Sequence, residues 1–168
     1  MDLLLTASTL FAALGSGLIA GAFFAFSSFV LAALARLPAP AGIAAMQSII
    51  GTIKTPLFLA VFFGTAALAA LLGIAATLRW SEPGALYLLI GSLLYLNGPF
   101  GVTLLKNLPL NNKLAATKPE GKEAARYWGE FRAAWGLWNH ARWIGALGAS
   151  AAFILALIDG GAPLLARP

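Results

Sequence analysis

Charge is missing from long blocks of this chain, and no other feature of the sequence constrains its fold as strongly. No Asp, Glu, Lys or Arg occurs from Leu3 to Ala35, from Thr55 to Leu78, or from Pro83 to Leu105. From Ala133 to Ile158 the only ionisable side chains are His140 and Arg142. A bilayer core takes about 20 apolar residues per helix, and in hydrocarbon each backbone N–H and C=O must pair inside its own segment. The four runs read as membrane helices, and the fold class as an all-α, integral membrane four-helix bundle forming one domain. A charged fraction of 10%, against about 25% in water-soluble domains, leaves too little polar surface for a soluble fold.

Several function classes fall away on composition. The net charge of +5 comes from basic residues placed in loops, not interleaved with aromatics on one face, so nucleic acid is not an expected partner. With no cysteine there are no disulfides and no thiolate ligands, and one histidine rules out a multi-histidine metal site or a bis-histidine haem within one chain. No metal and no cofactor is expected. The first span lacks a basic leader and exceeds the length of a signal-peptide apolar core, so it reads as a retained helix.

The first span is expected from Leu4 to Leu34. Gly17, Gly21, Ala25, Ser28 and Ala32 form a small-residue strip on it, a surface for close helix packing or for pairing with a second copy. Pro38 and Pro40 then break the chain, and Gly42 to Ile53 reads as a short amphipathic segment that either lies at the interface or re-enters the bundle. The second span starts near Pro56 and ends before Arg79. The third runs from Pro83 to Leu105, with a kink expected at Pro99, and Asn107 to Asn112 ends it. Thr117-Lys118-Pro119-Glu120 resembles a capping box, so the fourth helix is expected from about Pro119 to Ile158. At 1.5 Å per residue that is roughly 60 Å, about twice the bilayer core, so its first third must project from the membrane or break near Gly136.

Lys and Arg in the loops set the orientation. Arg36, Lys54, Lys106, Lys113, Lys118, Lys122, Arg126 and Arg132 fall on one side, Arg79 and Arg167 on the other. The positive-inside rule places both termini away from the cytoplasm, in a multi-pass protein of the inner membrane.

The densest constellation lies on the fourth helix. Trp128, Phe131, Trp135, Trp138, Asn139 and Arg142 fall within a sector of roughly 100°. An arginine facing lipid is costly, so the stripe should face the bundle interior, although tryptophans also anchor interfaces and Arg142 has the reach to snorkel to water. His140 titrates nearest neutrality and suits a general base, but an ideal helix points it roughly 150° from the stripe's centre. Asn97 sits mid-span beside Pro99 and needs partners for its amide, either another helix or a ligand oxygen. Gln47, Asn107 and Asn111 are polar candidates on the loop side.

Four segments, Gly21 to Ser27, Ala45-Met46-Gln47-Ser48-Ile49, Asn107 to Leu114 and Trp135 to Arg142, resemble the anthrone oxygenase-like family of small four-helix membrane proteins. Asn107-x-Pro109-Leu110-Asn111 and Trp138-Asn139-His140-x-Arg142 carry the resemblance best. It implies an enzyme that oxidises a hydrophobic phenolic or polycyclic compound with O2, without metal or flavin. On that reading Arg142 and Asn139 would hold a substrate oxyanion with help from Asn97, and Trp135 and Trp138 would stack the ring beside Trp128. His140 would take a proton if the helix bends enough to turn it inward. A cavity is expected on the cytoplasmic half, closed by Gln47 and by Asn107 to Asn111. The alternative is a non-catalytic membrane protein that binds a lipid, quinone or other apolar ligand, or a subunit of a larger assembly.

Overall fold

A computed structural model of the chain describes residues 1–161, so Arg167, counted above for orientation, lies outside the described residues. Those residues form helices and connecting turns, with no strand among them. Four of the helical stretches are long and apolar enough to cross a membrane: Leu3–Ala35, Pro56–Leu78, Ala85–Ala115 and Lys122–Asp159.

The first stretch comprises α1 (Leu3–Ala25), a π-helical turn (Phe26–Val30) and α2 (Leu31–Ala35). Asp2 caps it, its Oδ1 accepting from the Leu5 amide at 2.8 Å. The amphipathic segment is α3 (Ala39–Thr52), with Pro40 in its first turn, where its missing N–H removes no helical bond. Thr55 caps α4 (Pro56–Leu78), accepting from the Phe58 amide at 3.2 Å.

A tight turn leads into α5 (Ala85–Tyr95). Gly84 holds φ +86 there, and a Cβ on it would meet the Ala156 carbonyl oxygen at 2.8 Å, so only glycine fits. Its amide donates to Asp159 Oδ2 at 2.7 Å, which ties this turn to the end of the fourth span.

The third span does not stop where the sequence suggested. At Pro99 it widens into a π-helical segment (Leu96–Asn107), which then runs on as α6 (Leu108–Ala115). Proline lacks the N–H that would bond the Tyr95 carbonyl, and its ring crowds that carbonyl, so a wider i→i+5 pattern relieves both problems. Pro109 falls in the first turn of α6 and is tolerated there.

Nor does the fourth helix start at the capping box. Thr117 instead bonds back to the Lys113 carbonyl at 2.9 Å, and Gly121, at φ +102, leads into α7 (Lys122–Asp159). This helix is continuous through Gly136, so of the two expected forms the unbroken one is observed.

In cross-section α1 lies between α4 and α7, and α5 completes the square opposite it. Small residues allow close approach where α5 meets α7: a Cβ built on Gly98 would lie 3.0 Å from the Gly145 Cα, and one on Gly91 would meet the Phe153 ring at 2.7 Å. Ala12, Ala69, Ala76, Ala149 and Ala156 fill the rest of that half. A second cluster, containing Ile43, Met46, Leu114, Trp128, Phe131 and Trp135, sits where α3 and α6 pack on α7. Large apolar side chains such as Leu18, Leu71 and Ile144 are exposed around the bundle, as a lipid-facing surface requires.

Candidate functional site

A cavity of about 250 Å³ opens between these two clusters. Its walls are aromatic: Phe23 and Phe26 from the first span, Phe58, Phe62 and Phe63 from α4, and Trp135 from α7. Met46, Ile49, Ile50 and Ile53 of α3 form an apolar floor. The polar groups on its surface are few: Lys54, Thr103, Asn111, Asn112 and Arg142. Such a space suits a flat apolar ligand held by a small number of polar contacts.

Arg142 dominates it. The residue is only 4% exposed, and no carboxylate lines the cavity or pairs with it among the described residues. Its guanidinium lies between two rings, 4.0 Å from the Phe23 centroid and 4.8 Å from that of Trp135. The π faces supply part of the missing negative potential. Nη2 donates to Asn139 Oδ1 at 2.7 Å, Nη1 donates to Thr103 Oγ1 at 3.4 Å, and Nε is buried without a partner. A buried guanidinium with an idle donor and no carboxylate partner has the chemistry to accept an anionic oxygen.

Asn139 is fully buried and sets this geometry. Its amide nitrogen donates to the Phe23 carbonyl and to Ser27 Oγ, both at 2.7 Å, which leaves the amide oxygen facing Arg142. The π turn after α1 helps: Ser27 opens that turn and lies within reach of α7. Trp135 is fixed from the other side, its Nε1 donating to Asn111 Oδ1 at 2.9 Å. Thus Arg142, Asn139, Trp135 and Asn111 come together as one site.

The remaining sequence candidates are placed elsewhere. His140 is exposed on the outer face of α7, its Nδ1 accepting from Trp143 Nε1 at 3.1 Å, because the helix is not bent near Gly136. Asn97 is exposed too and bonds only within its own helix, to the Leu93 carbonyl at 2.8 Å. Trp138 lies under the Lys106 ammonium, 5.0 Å from its ring, away from the cavity. Trp128 is buried against Gly42 and Phe131 in the α3 cluster. Gln47 faces the α6 end, donating to the Leu114 and Thr117 carbonyls at 2.8 Å each. Asn107 is buried behind Trp135, donating to its carbonyl at 3.3 Å. The last three frame the cavity without lining it.

Phe23, Phe26, Phe58, Phe62, Phe63 and Thr103 are wall residues that the sequence reading did not single out. A periodic signal was not available for them, since both faces of a membrane helix are apolar. Among the described residues no three His, Asp or Glu side chains gather as a metal-holding group.

Residues 58–152 match the anthrone oxygenase family. That stretch holds α4 to α7 almost whole, with Phe58, Thr103, Trp135, Asn139 and Arg142 inside it. The chain belongs to the anthrone oxygenase family. No curated protein and no solved structure matches it. The family match begins within α4, so the first span and α3, which supply Phe23, Phe26 and the cavity floor, lie before it.

Proposed function

We propose that this anthrone oxygenase family member is a cofactor-independent membrane oxygenase for a flat, hydrophobic, phenolic or polycyclic substrate. The observation that carries the reading is the unpaired, buried Arg142 guanidinium in the wall of an aromatic cavity. An anthrone-type substrate has an acidic C–H and a carbonyl. Loss of the proton leaves an enolate whose negative charge sits on that oxygen. Arg142 is a donor of the right kind for it, and fixed donors aimed at developing charge are the largest single catalytic contribution in many enzymes. The electron-rich enolate passes one electron to O2, and the resulting radical and superoxide combine to a hydroperoxide. Loss of water from it leaves a new carbonyl. One O2 is consumed, one oxygen atom enters the product and the other leaves as water.

His140 has no place in this scheme, since it lies on the outer face of α7. Neither carboxylate nor imidazole lines the cavity, so the proton leaves to water at the end near Lys54 and Asn112. That same shortage of a base favours the second reading, a membrane protein that binds an acidic apolar ligand without turning it over. We place the Lys- and Arg-rich end of the bundle in the cytoplasm, by the positive-inside rule.

Oxygen uptake by purified protein with 1,8-dihydroxyanthrone tests the reading. The wild type is expected to consume one O2 per anthraquinone formed. Arg142→Lys is expected to fold and to lose on the order of 10²- to 10³-fold in rate, because a point ammonium does not reproduce the planar fork. Wild-type turnover in a folded Arg142→Lys protein removes Arg142 from the site. Tight binding of the anthrone without any O2 uptake favours the binder.

A further inference from the structure

We infer that the cavity is loaded sideways, from the hydrocarbon, through a portal between α4 and the third span. It takes a bilayer-dissolved amphiphile whose acidic oxygen goes to Arg142. This rests on the same site but not on oxygenase chemistry.

The two spans pack together along α5 and part over the π-helical segment. Phe100 marks the last contact, with its ring centroid 5.8 Å from that of Phe62 and 6.0 Å from that of Phe63. Beyond it Leu59 and Phe63 face Leu104 and Leu108 across the cavity mouth. All four are cavity-lining and yet exposed, at 36%, 49%, 41% and 39%. A side chain that is at once wall and outer surface marks an opening.

The opening begins in hydrocarbon at Phe63 and runs to the edge of the core, since at 1.5 Å per residue Leu59 stands about 28 Å along α4 from Leu78. At 1.5 Å per residue Phe63 stands roughly 22 Å along α4 from Leu78, and Arg142 about 25 Å along α7 from Asp159, against a bilayer core of about 30 Å. Over the hydrocarbon the rim carries four apolar side chains, and Lys54 and Asn112, which also line the cavity and are exposed, end it on the headgroup side.

The aqueous end, by contrast, is fastened. Gln47 ties α3 to the Leu114 and Thr117 carbonyls at 2.8 Å each, and Asn111 is held by Trp135 at 2.9 Å. Met46, Ile49, Ile50 and Ile53 lie between water and the cavity as its floor. The gap between Lys54 and Asn112 suffices for water and a proton, whereas a bulky apolar ligand entering there would have to part those polar bonds. One entering from lipid displaces only dispersion contacts with acyl chains.

The cysteine-free chain makes this testable. In proteoliposomes, Met46→Cys places one thiol on the cavity floor, with Ile50→Cys as a second position if the first folds poorly. The labelling rate is measured with pyrene maleimide, which partitions into the bilayer, and with a sulfonated methanethiosulfonate, which stays in water although the cavity's cations attract it. The expected result is labelling by the maleimide at least tenfold faster, relative to each reagent's rate on an exposed Lys118→Cys thiol away from the cavity. Adding Leu104→Trp, or Leu59→Trp from the other rim, should slow the maleimide at least tenfold, and Asn112→Trp should change it less than twofold. Equal relative rates for the two reagents, no labelling by either, or a block by Asn112→Trp but not by the rim variants would overturn the portal. None of these readings depends on O2 uptake, so a protein that fails as an oxygenase still answers the question.

Discussion

The two halves of this bundle use the same four spans in opposite ways. Toward Asp159 the helices are drawn together by Gly91, Gly98, Gly145 and a set of buried alanines, and no space is left. Toward Lys54 the same helices carry Phe23, Phe58, Phe62 and Trp135, and they stand apart around a cavity. In lipid, helix association rests on close packing and hydrogen bonds and gains little from hydrophobicity. Small residues therefore make the clamp, and bulky rings held off by π-helical turns make the room. The difference teaches that the site is built by the second half's failure to close, which the first half makes affordable.

This contrast can be broken by mutation. Phe153 is fully buried in the closed half, whereas Phe58 is half-buried on the cavity wall. Removing a buried phenyl costs about 3–5 kcal/mol in water-soluble cores, and the lower end applies where the outside solvent is lipid. Phe153→Ala should therefore lower the unfolding midpoint in mixed micelles strongly, and Phe58→Ala by less than half as much. Equal losses would mean that the two halves are packed alike.

A smaller effect is expected at the helix crossing. Gly98→Ala sets a methyl 3.0 Å from the Gly145 Cα, where backbone has to move, at a cost of about 1–3 kcal/mol. Gly21→Ala, with nothing within 4 Å, should leave the same melt unchanged.

In the open half, Asn139→Ala strips Arg142 Nη2 of its partner and α1 of its tie to α7. A buried donor left unpaired costs about 1–3 kcal/mol. The expected outcome is a modest loss of stability with a larger loss of anthrone affinity, read by titration under nitrogen. Unchanged affinity would show that Arg142 needs no positioning.

The smallest effect belongs to the closed end. The Leu5 amide and then Arg79 hold the Asp2 carboxyl below its ordinary value of 3.8. A carboxylate with a lowered folded value stabilises above the ordinary one and loses that contribution as pH falls through the folded value. Thermal melts should therefore drop slightly as pH goes below about 4, and Asp2→Asn should flatten that step.

Much of the frame was legible from charge alone: the spans, their order and the overlong fourth helix. So was the pairing of Asn139 with Arg142, because a three-residue step puts both on one helical face. The π segments were not legible. Pro99 announced a disturbance, but whether a helix kinks or widens depends on how neighbouring chains crowd it, here Gly145 against Gly98. That choice moved the register downstream of the proline and left Asn107 buried, while Asn97, just before it, lies on the outside. His140 shows the opposite case, since ideal helical geometry already pointed it away. The phenylalanine wall stayed hidden because a ring toward lipid and a ring toward a cavity look the same in an apolar run.

The bond from Asn139 to the Phe23 carbonyl joins α7 to α1 across most of the chain's length. Its consequence lies in biogenesis. An arginine entering the membrane on a lone helix costs about 2.5–3.5 kcal/mol at the bilayer centre. Arg142 is spared part of that cost only where Phe23 and Thr103 meet it and Asn139 is beside it. Phe23 and Thr103 come from segments synthesised earlier, so α7 brings Asn139 and Arg142 together into a waiting three-sided shell. A ribosome that pauses before α7 would leave that shell open to the lipid, and the surveillance proteases of the membrane would meet an unfinished bundle, not a finished one with a loose end.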